Sequence, residues 1–587
     1  MNESRPSVTI IGAGIAGMSA ALRLLQVGCS VTVIEKTERV GGQFGAVKVG
    51  SRYHEHAFHI FADWCQNFFA ICKELELNHP PARQGDPTAA FEPRPVFLTL
   101  QPLSKDGQQP GNERGPRGRP EADFKRLEYL GRPEYFWKNA NAGVAHWSDM
   151  VIYQYSVLDM LSDRSLEDDT KEFLNRVSVN GFMNSRPYTS DIAALLHHEL
   201  LLKVFAVPSY RTSARSYQTY LRHTAAFPPG EPINSDPANL SPSFWAMRGN
   251  VHETFWVPLL KTLDRTAKAN GVSFKIRYGE EVTGLTLAKS DGGSRVTHIQ
   301  FGKQKEAVPD QLLVAVPLTG FKSLITNSPE LAAVAPELLD VRYLEAVAVP
   351  ALNLYFNKKL TLPKEHMTLL DSKDDFYAPD PSLARRNGIA SKYGLSLVDH
   401  SQLWPELSAD KTVLSVLAAD SPLLMAERDE RITRLVLETL RHYISFDPAD
   451  IDVDKDVHLQ AHRDEPLFVN TEGSWEYRPE ARLDEGTRTF PRVRDKVVNL
   501  ALAGDYCRSK VDIVSLEGAI VTGISAARLI CDRVPAPKEP PPDSKREAVQ
   551  RAKAVLDGWI DLATQRSKQN VLSERACVVK KKKATQS

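Results

Sequence analysis

Six residues near the start, Gly12-Ala13-Gly14-Ile15-Ala16-Gly17, constrain the architecture of this chain more than any other stretch. They follow a short β-branched run, Val8 to Ile11, of the kind that forms a buried parallel strand. They open a segment with helical spacing, Ile15 to Val27, and a second strand-like run follows at Val31 to Ile34. In such a turn the first glycine permits the tight bend, the second lets a pyrophosphate approach the backbone, and the third lets helix pack on sheet. The helix start offers unpaired N–H groups and the positive end of its dipole to phosphate. Glu35 ends the second strand, 18 residues after Gly17, where a carboxylate can accept hydrogen bonds from ribose hydroxyls. A glycine turn that only packs would have no use for that acid. A nucleotide-binding α/β unit at the front of the chain is therefore expected.

The residues after Glu35 narrow the choice. Lys36, Arg39, Gly41 and Gly42 stand in the run EKTERVGGQF, and this second glycine pair lets backbone pass close to the far end of a long cofactor. The spacing resembles the FAD-binding signature of the flavin amine oxidase and carotenoid desaturase superfamily. Three later segments resemble the same superfamily. In Met247 to Leu285 the family's glycine turn, helix and strand would place the backbone of Val282 against adenine, although Gly249-Asn250 stands where a glycine pair is usual. Asp310 to Pro317 is similar to a buried strand beside the cofactor. Asn499 to Ile530 contains Ala503-Gly504-Asp505 and then Ser515-Leu516-Glu517-Gly518-Ala519. There glycine permits close approach, Asp505 can bind a ribityl hydroxyl or order the phosphate region, and the helix start can stabilise negative charge on a reduced flavin edge. The resemblance implies FAD held by Gly12, Gly14, Ile15, Ala16, Gly17, Glu35, Lys36, Arg39, Gly41, Gly42, Val282, Gly504, Asp505, Ser515, Leu516 and Glu517.

Glu55, His59, Ile60, Phe61 and Asn67 match a pattern of plant and cyanobacterial phytoene and ζ-carotene desaturases. Ala57, Asp63 and Cys65-Gln66 depart from it. The resemblance places His59 near the flavin, positioning substrate or tuning the ring, and makes it the one catalytic candidate. His54, His56 and His59 fit neither one helical face nor a zinc spacing, so no metal site is expected. His197-His198 reads as a helix pair facing opposite ways. Phe58, Phe61, Trp64, Phe68 and Phe69 would either line an isoprenoid tunnel or form a packed face.

The fold class that follows is α/β, a discontinuous Rossmann-type FAD domain carrying an inserted α+β substrate domain. FAD segments are expected at 1–79, 246–335 and 491–534, with substrate or cap segments at 80–245 and 336–490. A Gly- and Pro-rich stretch at 103–122 reads as a loop, and 535–587 as a Pro-rich linker, a helix and a basic tail. Equal numbers of acidic and basic residues, 73 each, argue against a nucleic-acid partner recruited by overall charge. Six scattered cysteines without a CxxC pair suit a reducing, cytoplasmic setting. No uncharged apolar run reaches about 18 residues, so no membrane span is expected. The run Lys580 to Lys583 is either a solvated end or a peripheral contact with anionic lipid.

The expected activity is hydride abstraction by flavin from a small apolar, isoprenoid-like substrate to introduce a double bond. An amine oxidase releasing hydrogen peroxide is one alternative. A prenyl-binding carrier resembling the Rab GDP-dissociation inhibitors is another, opposed by Glu35, Gly41-Gly42 and Gly504-Asp505. The electron acceptor and oligomeric state stay open.

Overall fold

The β-branched runs flanking the glycine turn form the centre of a five-stranded, wholly parallel sheet. Its order is Phe274–Arg277, Ser30–Ile34, Ser7–Ile11, Gln311–Val314 and Leu500–Leu502. The computed structural model describes residues 6–62, 64–77, 89–93, 97–101, 123–127, 136–162, 172–226, 244–308, 310–370, 393–407, 409–480, 496–509 and 511–533. The stretch 103–122 and the linker, helix and tail of 535–587 lie outside them. Strands drawn from distant parts of the chain thus share one sheet, the Rossmann-like arrangement expected. The helices Ile15–Gln26, Val257–Asn270 and Leu516–Arg533 contribute to the apolar core packed against it.

Beside this lies a seven-stranded sheet, in order Val457–Gln460, Ala351–Phe356, Thr412–Ala418, Leu395–Asp399, His366–Leu369, Phe97–Gln101 and Asp123–Leu127. Only the pairing of His366–Leu369 with Phe97–Gln101 is parallel. The helix Asp429–Arg441 buries Ile432, Val436 and Leu440 in this sheet's core. The apolar run Val347 to Phe356 is divided between two strands, Glu345–Val347 and Ala351–Phe356. Pro350 lies between them and has no N–H for a ladder. Within the run Leu166 to Val177 the described residues form the short helix Glu172–Arg176.

Helices Trp147–Ser162, Asp191–Phe205 and Ala214–Ala226 form a third body. Ser190 caps the second by accepting from the Ala193 N–H at 3.1 Å. His197 is fully buried there with its Nε2 2.7 Å from Ser156 Oγ, while His198 is half-buried and stacks on Tyr210. Among the described residues no helix is long and apolar enough to cross a membrane.

The hairpin Ala46–Val49 and Arg52–Glu55 ties the two sheets together. Gln460 Nε2 donates to the carbonyls of His54 and Glu55, and the rings of His54 and His56 make tilted contacts with those of His458 and His462.

Candidate active site

All five parallel strands point the same way, so Gly12, Glu35 and Gly504 emerge together at one sheet edge. Gly12 has φ +105°, and an added Cβ would sit 2.4 Å from the Ala315 carbonyl oxygen. A Cβ on Gly17 would sit 2.2 Å from the Gly12 carbonyl oxygen. The fold itself requires both. Gly14 is different, because its φ of −75° suits any residue and a Cβ there meets nothing within 4 Å among the described residues. No described residue fills the space beside it.

Gly14 is also the N-cap of the first helix, with no side-chain cap and no acid in the first turn. Ile15 and Ala16 therefore present N–H groups free of side-chain competition. Gly41 closes the other side, its N–H donating to the Ala13 carbonyl at 3.0 Å. Gly42 faces Gly14, a Cβ on it lying 3.5 Å from Gly14 Cα. Glu35 Oε2 accepts from the Ala13 N–H at 2.8 Å, and Oε1 accepts from the N–H and hydroxyl of Thr37. Each oxygen keeps acceptor capacity for ribose. The segment bearing Val282 runs beside it, Gly279 and Glu280 donating backbone N–H groups to the carbonyls of Thr37 and Glu35. Lys36 pairs with Glu465 at 3.1 Å, and Arg39, which donates to the Gly42 carbonyl, lies 3.9 Å from the same acid. Opposite charge, open space and a ribose acceptor in one groove fit a nucleotide diphosphate.

At the other end of the groove's sheet edge the reasons for several residues differ from those expected. Gly504, φ +149°, is required because a Cβ would lie 2.7 Å from the Tyr506 ring. Its N–H donates to Thr522 Oγ1, fastening the strand end to the closing helix. Ser515 caps that helix by accepting from the Gly518 N–H. The Glu517 carboxylate, expected at the cofactor, is fully buried and accepts from the N–H of Asn67, its side-chain amide and the N–H of Phe68. It caps the helix Gln66–Glu74, and burial pushes it up to about 7 against those bonds. What Leu516 and Glu517 can offer a ligand is their backbone. Burial also raises Asp505 to about 6, opposed by Arg478.

Arg478 was not signalled by any motif. Its buried guanidinium donates to the carbonyls of Asp505, Tyr506 and Cys507 and to Asp512 Oδ1 at 2.7 Å. Asp512 Oδ2 accepts from Arg215 Nε, whose guanidinium lies 3.8 Å from the Trp475 ring centroid. One carboxylate thus ties the helical body and the second sheet's chain to the loop before the closing helix.

His59 reaches the groove through Phe44. Trp256 Nε1 donates to the Phe44 carbonyl at 2.6 Å, and the Phe44 ring meets His59 edge-on at 4.8 Å. His59 lines a narrow cavity with Glu55, Met247, Val398, His400 and Trp404. Burial lowers His59 to about 4. Glu55 accepts from the Val251 N–H at 2.7 Å and is pushed up to about 8, by burial first and by Glu406 as well. Phe61, Phe68 and Phe255 pack as rings in the core, and Phe58 is the member of the aromatic run that lines the cavity. No group of three His, Cys, Asp or Glu among the described residues is arranged to hold a metal.

The family model for flavin-containing amine oxidoreductases matches residues 248–531, and that for NAD(P)-binding Rossmann-like domains matches 10–75. A probable zeta-carotene desaturase of Synechococcus elongatus is 22% identical, the alignment covering 89% of this chain and 98% of the relative. An oxidoreductase of Methanosarcina mazei superimposes with a TM-score of 0.55 at 14% identity, covering 88% of this chain and 99% of that one. A cyclohexylamine oxidase of Brevibacterium oxydans superimposes with 0.53 at 13% identity, covering 94% and 100%. The Rossmann-like match covers the glycine turn and Glu35 and the flavin match covers the strand and helix that close the sheet edge, so the chain belongs to the flavin amine oxidase and carotenoid desaturase superfamily and is a flavin-dependent oxidoreductase.

Proposed function

We propose that this protein binds FAD along the edge of the parallel sheet and desaturates an apolar, isoprenoid-like substrate. The observation that carries the cofactor reading is Gly14, the one glycine of its turn that packing among the described residues does not require. Bound flavin supplies a hydride acceptor. The chain's contribution is binding and exclusion of water. Ile15 and Ala16 N–H groups would hold phosphate, Glu35 would accept from ribose, and the backbone of Leu516 and Glu517 lies at a helix start suited to negative charge. Phe58, Met247, Val398, Leu403 and Trp404 give an apolar side to a cavity with room for about one water-sized group, suited to the end of a substrate rather than its length. The similarity to a probable zeta-carotene desaturase along nearly its whole length supports the same substrate class.

Two measurements test the proposal. Purified protein should absorb near 450 nm, release FAD on denaturation, and bleach anaerobically with an isoprenoid-rich lipid extract, yielding a product two hydrogens poorer. Oxygen consumption with primary amines and no bleaching by lipid would replace this reading with amine oxidation.

A further inference from the structure

The cavity is not lined by hydrocarbon alone. His400, on the short turn His400–Gln402, is 3% exposed, and its Nδ1 is buried without a hydrogen-bond partner among the described residues. His59 Nε2 is likewise buried and has no hydrogen-bond partner among the described residues, lying 4.0 Å from Glu55 Oε2. Both rings line the same cavity and lie close enough for their charges to repel. A purely hydrocarbon occupant would leave these nitrogens unsatisfied, which is costly in a buried site.

A cationic occupant is no better served. Burial holds His59 near 4 and His400 near 3, so both rings are neutral above those values. Glu55, pushed up to about 8, is mostly protonated at neutral pH and supplies no counter-charge. Trp404 cannot present both faces to an ammonium, because His400 stacks on one at 4.0 Å between centroids. A neutral imidazole can accept through one nitrogen and donate through the other, which matches an alcohol or carbonyl.

We propose, resting on the apolar-substrate reading above, that His400 together with His59 determines specificity by receiving an uncharged oxygen-bearing end, hydroxyl or carbonyl, of an otherwise apolar substrate. The test titrates flavin-loaded enzyme with geranylgeraniol, the same skeleton without its hydroxyl, and the corresponding amine, following the perturbation of flavin absorbance. The alcohol should bind roughly tenfold more tightly than either other probe, as expected of a site that hydrogen-bonds its ligand. That preference should stay flat from about pH 5.5 to 7, since neither ring protonates there. His400→Phe should keep hydrocarbon affinity within about twofold and abolish most of the preference, while His400→Gln should retain it. Hydrocarbon binding as tightly as alcohol to the native enzyme, or an undiminished preference in His400→Phe, overturns the assignment and leaves the apolar-substrate reading standing. Tight amine binding with oxygen consumption overturns both. If His400→Phe does not hold flavin, the native alcohol-to-hydrocarbon ratio decides alone.

Discussion

The nucleotide cradle and the histidine cavity are joined through Phe44, yet they are built by opposite means. At the cradle, backbone does the recognising: a helix start, Gly14 facing Gly42, and N–H groups around Glu35. In the cavity, side chains from distant segments converge, and their character is set by burial. A backbone site tolerates few substitutions but is insensitive to pH. A side-chain site can be re-specified residue by residue, at the cost of buried titratable groups whose protonation shapes its stability. The contrast explains how one cofactor site could serve many substrates across such a superfamily.

The largest expected effect would break the contrast at its weakest point, the dependence of the cradle on a side-chain clamp. Asp512→Ala leaves Arg478 and Arg215 buried without their shared carboxylate. Removing one member of a buried ion network costs about 3–5 kcal/mol. We expect a large fall in the chemical-denaturation midpoint and loss of flavin with it. A midpoint unchanged from the native protein would show the clamp to be dispensable.

Next come the glycines. Gly17→Ala forces a Cβ to 2.2 Å from a backbone oxygen and should destabilise the apoprotein by about 1–3 kcal/mol or more. Gly14→Ala should leave apoprotein stability within about 1 kcal/mol, since its Cβ enters open space and its φ is ordinary. Flavin content should nevertheless fall. Thermal unfolding of the apoprotein beside the flavin-to-protein absorbance ratio separates the two, and a fully yellow Gly14→Val would remove the diphosphate from this turn.

These two glycines also show what sequence can and cannot reveal. The turn, the acid and the strands on either side are local, so spacing alone reads them, and Val8 to Ile11 and Val31 to Ile34 differ from the observed strands by one residue each. Which glycine is reserved for a ligand depends on Ala315 and Gly42, brought in by folding. Gly504 and Glu517 looked like cofactor residues because of the family motif in which they stand. Their side-chain requirements turn on Tyr506 and on Asn67, the latter 450 positions away. Arg478 and His400 carry no local pattern at all. Their meaning arises only when Asp512 and His59 are placed beside them by the three-dimensional fold.

An acid titration sharpens the comparison further. His59 and His400 are depressed in the folded protein, so between about pH 6.5 and 4 the unfolded chain binds more protons and stability falls as pH falls. Each contributes a slope of up to about 1.4 kcal/mol per pH unit in that window. Glu55 acts with the opposite sign, its raised value favouring the folded state less as pH climbs toward 8. Hydrogen exchange at about pH 5 should therefore show weaker protection in Phe244–Met247 and Leu395–Asp399 than in Ser7–Ile11, relative to neutral pH. His400→Phe should flatten the acid slope. Uniform loss of protection in both regions would mean that cavity and cradle open as one unit.

The smallest effect asks whether the two regions communicate through charge. Glu465, on the chain leading from the second sheet, neutralises Lys36 and approaches Arg39 beside the cradle. These pairs are partly exposed, so Glu465→Gln should change stability by less than about 1 kcal/mol. It should also free two cations next to the place assigned to phosphate. Flavin affinity is then expected to rise by about threefold or less, and to become more sensitive to salt because screening acts on the newly uncompensated charge. Affinity measured at low and high ionic strength checks this. A weaker-binding Glu465→Gln would mean that the acid positions Lys36 and Arg39 rather than competing for them, which would make this carboxylate part of the cradle although it comes from the other domain's chain.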